Sequence, residues 1–262
     1  NFRDPIPYRR ILYGEARVGG PILFAHSEPN NEVHLFIALS STLVESIGDI
    51  YINDDIVPID GNGDATGTYA NVVTVHRILG DASPAILTPL RQKFIHEGID
   101  DSVGGPISDT DNFVGIAGLY VVLRRWSRKF SGEQPEFSAV VQGFNTILTG
   151  SLSDPGGYGF GYSSNPVECA RAYMVNVMGI PISRFADASA AIAYCDELVA
   201  LKAGGTEKRY TCNGLVLADQ THEEVLEAFA NSFAGAIRYV GGRWVITSKP
   251  TEDLSTVVSE DK

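Results

Sequence analysis

A segment rich in glycine, serine and tyrosine, residues 149–164, separates two different sequence patterns. Before it, short runs of β-branched and aromatic residues alternate with turn-forming Gly, Pro and Asn, which is typical of strands. After it, helix-capping residues precede apolar residues spaced three and four apart, which indicates amphipathic helices. The chain of 262 residues is therefore predicted to hold a β-rich region at 1–150, an α+β region at 151–250, and a polar tail or linker at 251–262.

The first region contains several runs that predict strands. ILYGEARV (11–18) and HLFIALSS (34–41) are rich in strand formers, and IYINDDIVPI (50–59) alternates as a half-buried strand does. GIAGLYVVLRRW (115–126) predicts an apolar strand, with EFSAVVQGF (136–144) as its expected partner. Between these runs lie a polar loop at 60–71, a stretch at 83–98 in which Pro89 disfavours a helix, and an acidic loop at 99–113.

The second region predicts three helices. Asn165 can cap the first, with Pro166 in its first turn and Glu168 three residues after the cap. Gly179 and Pro181 end that helix. Its expected inward face consists of Ala170, Tyr173, Met174, Val177 and Met178.

The other two helices are predicted by the same signals. The second helix starts at Asp187, stops at Gly204-Gly205, and turns Ile192, Cys195, Leu198 and Val199 inward. The third has a capping box of Thr221 and Glu224, an apolar face of Val225, Leu226, Phe229 and Phe233, and an end at Gly235. RYTCNGLVLA (209–218) predicts a strand, and AIRYVGGRWVITS (236–248) predicts a hairpin with a Gly-Gly turn. The predicted order is α, α, β, α, β, β.

Composition and charge restrict the class of protein. The chain is 44% hydrophobic and 20% charged, which is expected of a folded soluble protein. It contains neither an apolar run of about 18 residues nor a signal peptide at its start, so no membrane span is expected. Because it begins with Asn1, we expect it to be a processed or trimmed piece of a longer protein.

The net charge of −12 argues against general phosphate binding, which needs clustered lysine and arginine. One basic cluster exists, at Arg124, Arg125, Arg128 and Lys129 around Trp126. Two interpretations stay open for it. It is either the solvated end of a strand, which we favour, or a nucleic-acid patch.

The three cysteines, Cys169, Cys195 and Cys212, are odd in number and form no C-x-x-C motif. This predicts reduced, buried thiols made in a reducing compartment. Cys169 lies near a helix start, where a thiol pKa can fall, but no histidine is close in sequence to act as its base. We therefore interpret all three as structural.

The sequence contains none of the common nucleotide, hydrolase or metalloprotease motifs, and it predicts no catalytic, cofactor-binding or metal-binding residue. Its histidines (His26, His34, His76, His96 and His222) are scattered. Asp60-x-Asn62-x-Asp64 resembles the first half of a calcium loop, but Ala65 and Asn71 stand where glycine and glutamate are expected. Acid pairs at Asp54-Asp55, Asp100-Asp101 and Glu223-Glu224 leave a paired-acid glycosidase open.

Several segments, in order, resemble one family of proteins. They are PIPYRRILYGEARVGG (5–20), IALSSTLVESIGDIYINDDIV (37–57), GLYVVLRRWSRKFSGEQPEFSAVVQG (118–143), SSNPVECARAYMVN (163–176), AIAYCDE (191–197) and RYTCNGLVLADQTHEEVLEAFANSFAGAIRYVGGRWVI (209–246). Together they resemble the central tail-hub, or tip attachment (host specificity), proteins of long-tailed bacteriophages and related gene-transfer particles. The resemblance spans roughly residues 5–248, while the fibronectin-like and fibre-bearing regions of that family are missing.

The resemblance implies a β-rich α+β fold, with hub-type β-barrel-like domains and an α+β domain that carries three helices and a C-terminal hairpin. It implies a homotrimeric virion protein, made in the host cytoplasm, that closes the tail tube, contacts tube, distal tail and fibre proteins, and passes DNA without binding it specifically. The family motifs are structural, so no catalytic residue is expected.

Acids such as Asp100, Asp101, Asp109 and Asp111 would either line the lumen or keep the surface solvated. The alternative function is a tail-associated glycan hydrolase or carbohydrate-binding domain.

Overall fold

A computed structural model of the chain describes residues 8–27, 31–81, 113–124, 129–130, 134–143 and 162–248. It is a β-rich α+β structure, as predicted. Two compact units are present, one of Asn1–Leu12 with Ala16–Gly143 and the other of Tyr13–Glu15 with Phe144–Lys262. The predicted boundary at 150/151 and the predicted tail at 251–262 lie outside the described residues, as do the stretch at 83–98 and nearly all of the acidic loop.

Among the described residues, nine strands belong wholly or mainly to the first unit. They are β1 Arg10–Tyr13, β2 Glu15–Gly19, β3 Ile22–Ser27, β4 Glu32–Ser40, β5 Ser46–Ile52, β6 Asp55–Val57, β7 Val73–Ile78, β8 Ala117–Arg124 and β9 Phe137–Gln142. Eight of them, β2 to β9, form two four-stranded sheets, in the orders β2-β9-β5-β6 and β3-β4-β8-β7. Each sheet has two edge strands, so neither closes on itself among the described residues.

The core of the first unit lies between these two sheets. In the antiparallel pair of β4 and β8, Ile37 is opposite Leu119 and Leu35 is opposite Val121. These residues share one buried apolar cluster with Ile50 and with other residues of the second sheet. Because side chains alternate along a strand, Phe36, Tyr120 and Val122 form a separate apolar cluster on the other face. Burial of each large apolar side chain contributes about 1.5–3 kcal/mol.

Two strand predictions were wrong in detail. The segment at 136–144 forms β9, but β9 pairs with β5 and not with β8, whose neighbours are β4 and β7. The run at 50–59 is two strands, because Asn53, with φ of 54°, turns the chain so that Ile52 is opposite Asp55. Strand β7 was not predicted, although its run of Val and Thr has the composition of a strand.

The described part of the second unit contains three α-helices, α1 Pro166–Asn176, α2 Ser189–Asp196 and α3 His222–Ser232. Its strands are β10 Leu198–Ala200, β11 Thr206–Lys208, β12 Gly214–Leu217, β13 Ala236–Val240 and β14 Arg243–Thr247. A buried cluster joins the helices to the last hairpin through Val167, Ala191, Cys195, Phe233 and Ile246. In the described part of the chain, no helix is long and apolar enough to span a membrane.

Local signals predicted this unit well, with three corrections. Helix α2 ends at Asp196, and Leu198 and Val199 belong to β10, which pairs with β11 in a hairpin across Gly204-Gly205. Leu198 is therefore 64% exposed. Val177 caps the end of α1 and is 40% exposed instead of buried.

The strand predicted at 209–218 is limited to β12. The Gly-Gly hairpin is confirmed, with Val240 opposite Arg243.

Candidate functional site

The loop that resembles half of a calcium site uses its carboxylates to fix its own backbone. Asp60 Oδ1 accepts the backbone N–H groups of Asn62 and Asp64, both at 2.9 Å. Asp64 Oδ1 accepts the Thr74 hydroxyl at 2.6 Å and lies 3.7 Å from Arg124 Nη1. Among the residues that the structure describes, no three His, Cys, Asp or Glu side chains are grouped to hold a metal ion.

The basic cluster is described only at its two ends, since residues 125–128 lie outside the described part. Arg124 Nη1 donates to the Thr74 hydroxyl at 2.7 Å. The Lys129 ammonium lies 5.3 Å from the centre of the Tyr69 ring, and that ring stacks on Phe130 at 6.1 Å. Both cations therefore make contacts within the protein.

A groove beside the stacked rings has a mixed polar and aromatic lining. It has a volume of about 470 Å³ and is lined by Asn53, Tyr69, Lys129, Phe130 and Gln134, among others. Aromatic faces next to amide donors and acceptors are the features with which proteins hold polar ligands such as sugars. This groove belongs to the first unit.

A second groove, of about 650 Å³, lies along α2 and β14 and contains two carboxylates, Asp187 and Glu197. Asp187 accepts the Ser189 hydroxyl at 2.6 Å and the Ser189 N–H at 3.1 Å, and these bonds lower the Asp187 pKa. Glu197 Oε2 lies 2.9 Å from Arg209 Nη2. A paired-acid hydrolase needs one carboxyl group with a raised pKa. Here the bonds to Asp187 favour its ionised form, so Asp187 is not suited to be the acid of such a pair.

The two acid pairs that lie in the described part of the chain, Asp54-Asp55 and Glu223-Glu224, also make structural contacts. Arg17 Nη2 lies 3.3 Å from Asp54 Oδ1 and its guanidinium lies over the Tyr51 ring at 3.9 Å. Thr221 donates its backbone N–H and its hydroxyl to Glu224 Oε2, both at 2.8 Å, and these bonds lower the Glu224 pKa. The capping box predicted at α3 is therefore confirmed. Asp100, Asp101, Asp109 and Asp111 lie outside the described residues.

The start of α1 joins two helices. Asn165 Oδ1 accepts the Val167 N–H at 3.0 Å, as a cap does, and Asn165 Nδ2 donates to the Ile192 carbonyl of α2 at 3.0 Å. The side chain is completely buried. Glu168 accepts the Ser163 hydroxyl instead of closing a capping box on Asn165, whose N–H donates to the Ser163 oxygen at 2.9 Å. The segment S-S-N-P therefore positions α1 against α2.

Two of the thiols in the second unit interact with each other. A hydrogen bond between the Cys169 and Cys212 side chains raises the Cys169 pKa, which burial raises further, and lowers the Cys212 pKa. Cys195, buried beside Asp196, has a pKa of about 11, raised by burial and then by that carboxylate. The sequence predicted three isolated structural thiols and missed this pairing, because Cys212 lies on a segment far from Cys169 in the chain.

A pocket of about 270 Å³ opens beside this pair. Its lining includes Tyr13, Cys212, Gly214, Val225 and Phe229. Tyr13 meets Phe229 edge to face at 5.3 Å, and its hydroxyl is buried with no hydrogen-bond partner in the described structure. Burial, then the nearby Cys169, Tyr173 and Cys212, raise the Tyr13 pKa.

No protein-family model matches the chain, and none of the curated proteins matches it. A solved structure described as "Virion of native gene transfer agent (GTA) particle" is similar to it, with a TM-score of 0.49 and 14% sequence identity. The likeness covers 94% of this chain and 53% of the other, so this chain spans about half the length of the matched chain. The function therefore has to be inferred from the residues of this chain.

Proposed function

We propose that the chain is a structural protein of a phage-like virion, and specifically a tail-tip or baseplate-hub module that closes the tail tube and connects it to the tip or fibres. The ordered set of motifs over residues 5–248 carries this proposal. The contacts made by those motifs support an architectural role. Asn165 ties α1 to α2, and Thr221 and Glu224 cap α3.

In this role the protein is not an enzyme and works as a homotrimer beside tail-tube, distal-tail and fibre proteins. DNA passes through its lumen during infection without specific binding. The net charge of −12 is suited to that task, because carboxylates repel phosphates and do not retain them. In the proposed homotrimer, some of these acids face the lumen. The homotrimer itself is inferred from the family resemblance.

The direct test is to locate the chain in its parent particle. Antibodies against the purified chain should label one end of the tail, and cryo-electron microscopy of the tail should place it on a threefold axis with an acidic lumen. Labelling of the head, a single copy per tail, or a lumen lined mainly by lysine and arginine would contradict the proposal.

A second candidate function is glycan binding, which the groove at Tyr69 and Phe130 favours. Its stacked rings and the nearby Asn53 and Gln134 amides offer a sugar an apolar face and hydrogen-bonding groups. Titration of the purified chain with oligosaccharides from cell-surface polymers tests it. Binding that Tyr69→Ala abolishes, with Tyr239→Ala as the exposed aromatic control, would favour this function. Release of new reducing ends from such polymers would identify a hydrolase instead.

A further inference from the structure

Cys169 and Cys212 are brought together by a short segment ahead of α1. The Cys169 thiol donates to the Ser163 carbonyl at 3.5 Å, and the backbone N–H of Cys212 donates to the adjacent Ser164 carbonyl at 2.8 Å. Both residues consequently contact the same strip of backbone, and their side chains lie close enough for each to shift the pKa of the other. Cys212 is thus held at a fixed place although the residues around it, before β12, form no regular element.

The two thiols differ in access to solvent. Cys169 is 4% exposed, whereas Cys212 is only partly buried and lines the pocket of about 270 Å³. The same asymmetry holds for their acidity. The interaction with the Cys169 side chain lowers the Cys212 pKa, while the same interaction and burial raise the pKa of Cys169. Because Cys212 lines the pocket and Cys169 does not, Cys212 is the member of the pair that an oxidant reaches first, and its lowered pKa acts in the same direction.

We propose that Cys169 and Cys212 form an oxidisable dithiol, in which Cys212 reacts with a hydroperoxide and Cys169 then closes a disulfide. The pocket gives a small oxidant access to Cys212, and the buried Cys169 lies beside it against the same segment, residues 163–164. An accessible thiol of lowered pKa beside a second thiol is the arrangement found in redox-responsive proteins. This inference is independent of the proposed function.

The chemistry balances in two steps. The Cys212 thiolate attacks the O–O bond of the hydroperoxide, an S–O bond forms, and an alcohol or water leaves after taking up a proton. The Cys169 sulfur then attacks the Cys212 sulfenic acid, the S–S bond forms, the S–O bond breaks, and the Cys169 proton leaves with the hydroxyl as water. Two thiols together give two electrons and the peroxide accepts both.

The Tyr13 hydroxyl supplies a further element of this site. It is a buried donor without an acceptor in the described structure, and it lies near both thiols. A buried hydroxyl without a partner is costly. The Tyr13 hydroxyl is therefore a donor in this pocket that is open to a new acceptor.

Cys195 provides the matched internal control. It is completely buried among Val167, Ala191 and Phe233, and its pKa is raised to about 11. It should therefore react slowly in the folded chain. The three cysteines fall in separate tryptic peptides, 130–171, 185–202 and 210–238, so each can be followed individually.

The experiment treats the folded full chain with hydrogen peroxide, blocks the remaining thiols by alkylation, and maps the tryptic peptides by mass spectrometry. We expect a peptide 130–171 linked to 210–238, with Cys195 alkylated only after unfolding. Cys212→Ala should abolish the link and the oxidation of Cys169. Cys169→Ala should leave Cys212 as a sulfenic acid that dimedone traps, and Cys195→Ala should behave as the unchanged chain.

Circular dichroism melts establish that each variant is folded before oxidation. A folded chain in which Cys212 reacts no faster than Cys195, or in which peroxide produces no link between the two peptides, would overturn the proposal. Linking of either peptide to 185–202 would do the same. A link that forms in the unchanged chain and in Cys195→Ala, but in neither of the other variants, would establish it.

Discussion

The contacts that stabilise the two units join residues at different separations along the chain. In the first unit, β4 contacts β8 although about eighty residues separate them, and the core consists of apolar residues from both sheets. In the second unit, caps, a capping box and a Gly-Gly hairpin act within a few residues, and the buried cluster is smaller. The first unit therefore depends mainly on apolar burial between distant strands, and the second more on local polar contacts.

The sharpest test of that contrast is a core truncation in the first unit. Ile37→Ala should lower the free energy of unfolding by about 2–5 kcal/mol, because Ile37 is fully buried opposite Leu119 and the substitution leaves a cavity. Urea denaturation followed by circular dichroism measures this. Ile56→Ala, at a site that is 56% exposed, is the matched control and should cost less than about 0.5 kcal/mol. Equal costs at the two positions would disprove the role assigned to the core.

A smaller loss is expected at the joint between α1 and α2. Asn165→Ala should cost about 2–3 kcal/mol, because it removes the cap and leaves the Ile192 carbonyl without its donor. Asn165→Ser keeps a neutral capping oxygen and removes the donor to Ile192, so it should recover part of the loss. An unchanged denaturation midpoint with an unchanged slope for Asn165→Ala would show that local contacts do not stabilise the second unit.

The capping box at α3 should make stability depend on pH. The bonds from Thr221 lower the Glu224 pKa below its ordinary value of 4.5. Its contribution is therefore present above pH 4.5 and is lost as the pH falls through the lowered pKa. Melting temperatures of the unchanged chain and of Glu224→Gln should differ most at neutral pH and converge under acidic conditions. Glu223→Gln is the control and should not change this dependence. A difference that grows as the pH falls would contradict the assignment.

The contrast between the units also explains which features the sequence could predict. Asn165, Thr221 and Gly241-Gly242 define local geometry within three or four residues, so their helices and hairpin were predicted correctly. Strand partners in the first unit depend on contacts between distant segments, and the pairing of β9 was wrong for that reason. The pairing of the two thiols was missed for the same reason. Cys169 was placed correctly in α1, but nothing near it in sequence indicates that the segment carrying Cys212 returns to it.

The smallest expected effect is at the turn between β13 and β14, where sterics and backbone preference can be separated. Gly241 and Gly242 have φ of 59° and 82°, the left-handed values of a two-residue hairpin turn, and a Cβ at either position would meet nothing within 4 Å. Gly241→Ala should cost roughly 1 kcal/mol from backbone preference alone, since alanine tolerates this region poorly. Gly241→Asn should be within a few tenths of a kcal/mol of the unchanged chain, because asparagine is favoured at this position. Denaturation midpoints of the two variants measure the difference. If asparagine costs as much as alanine, side-chain contacts outside the turn must decide its stability, and the local description of the second unit would fail where the sequence predicted it most directly.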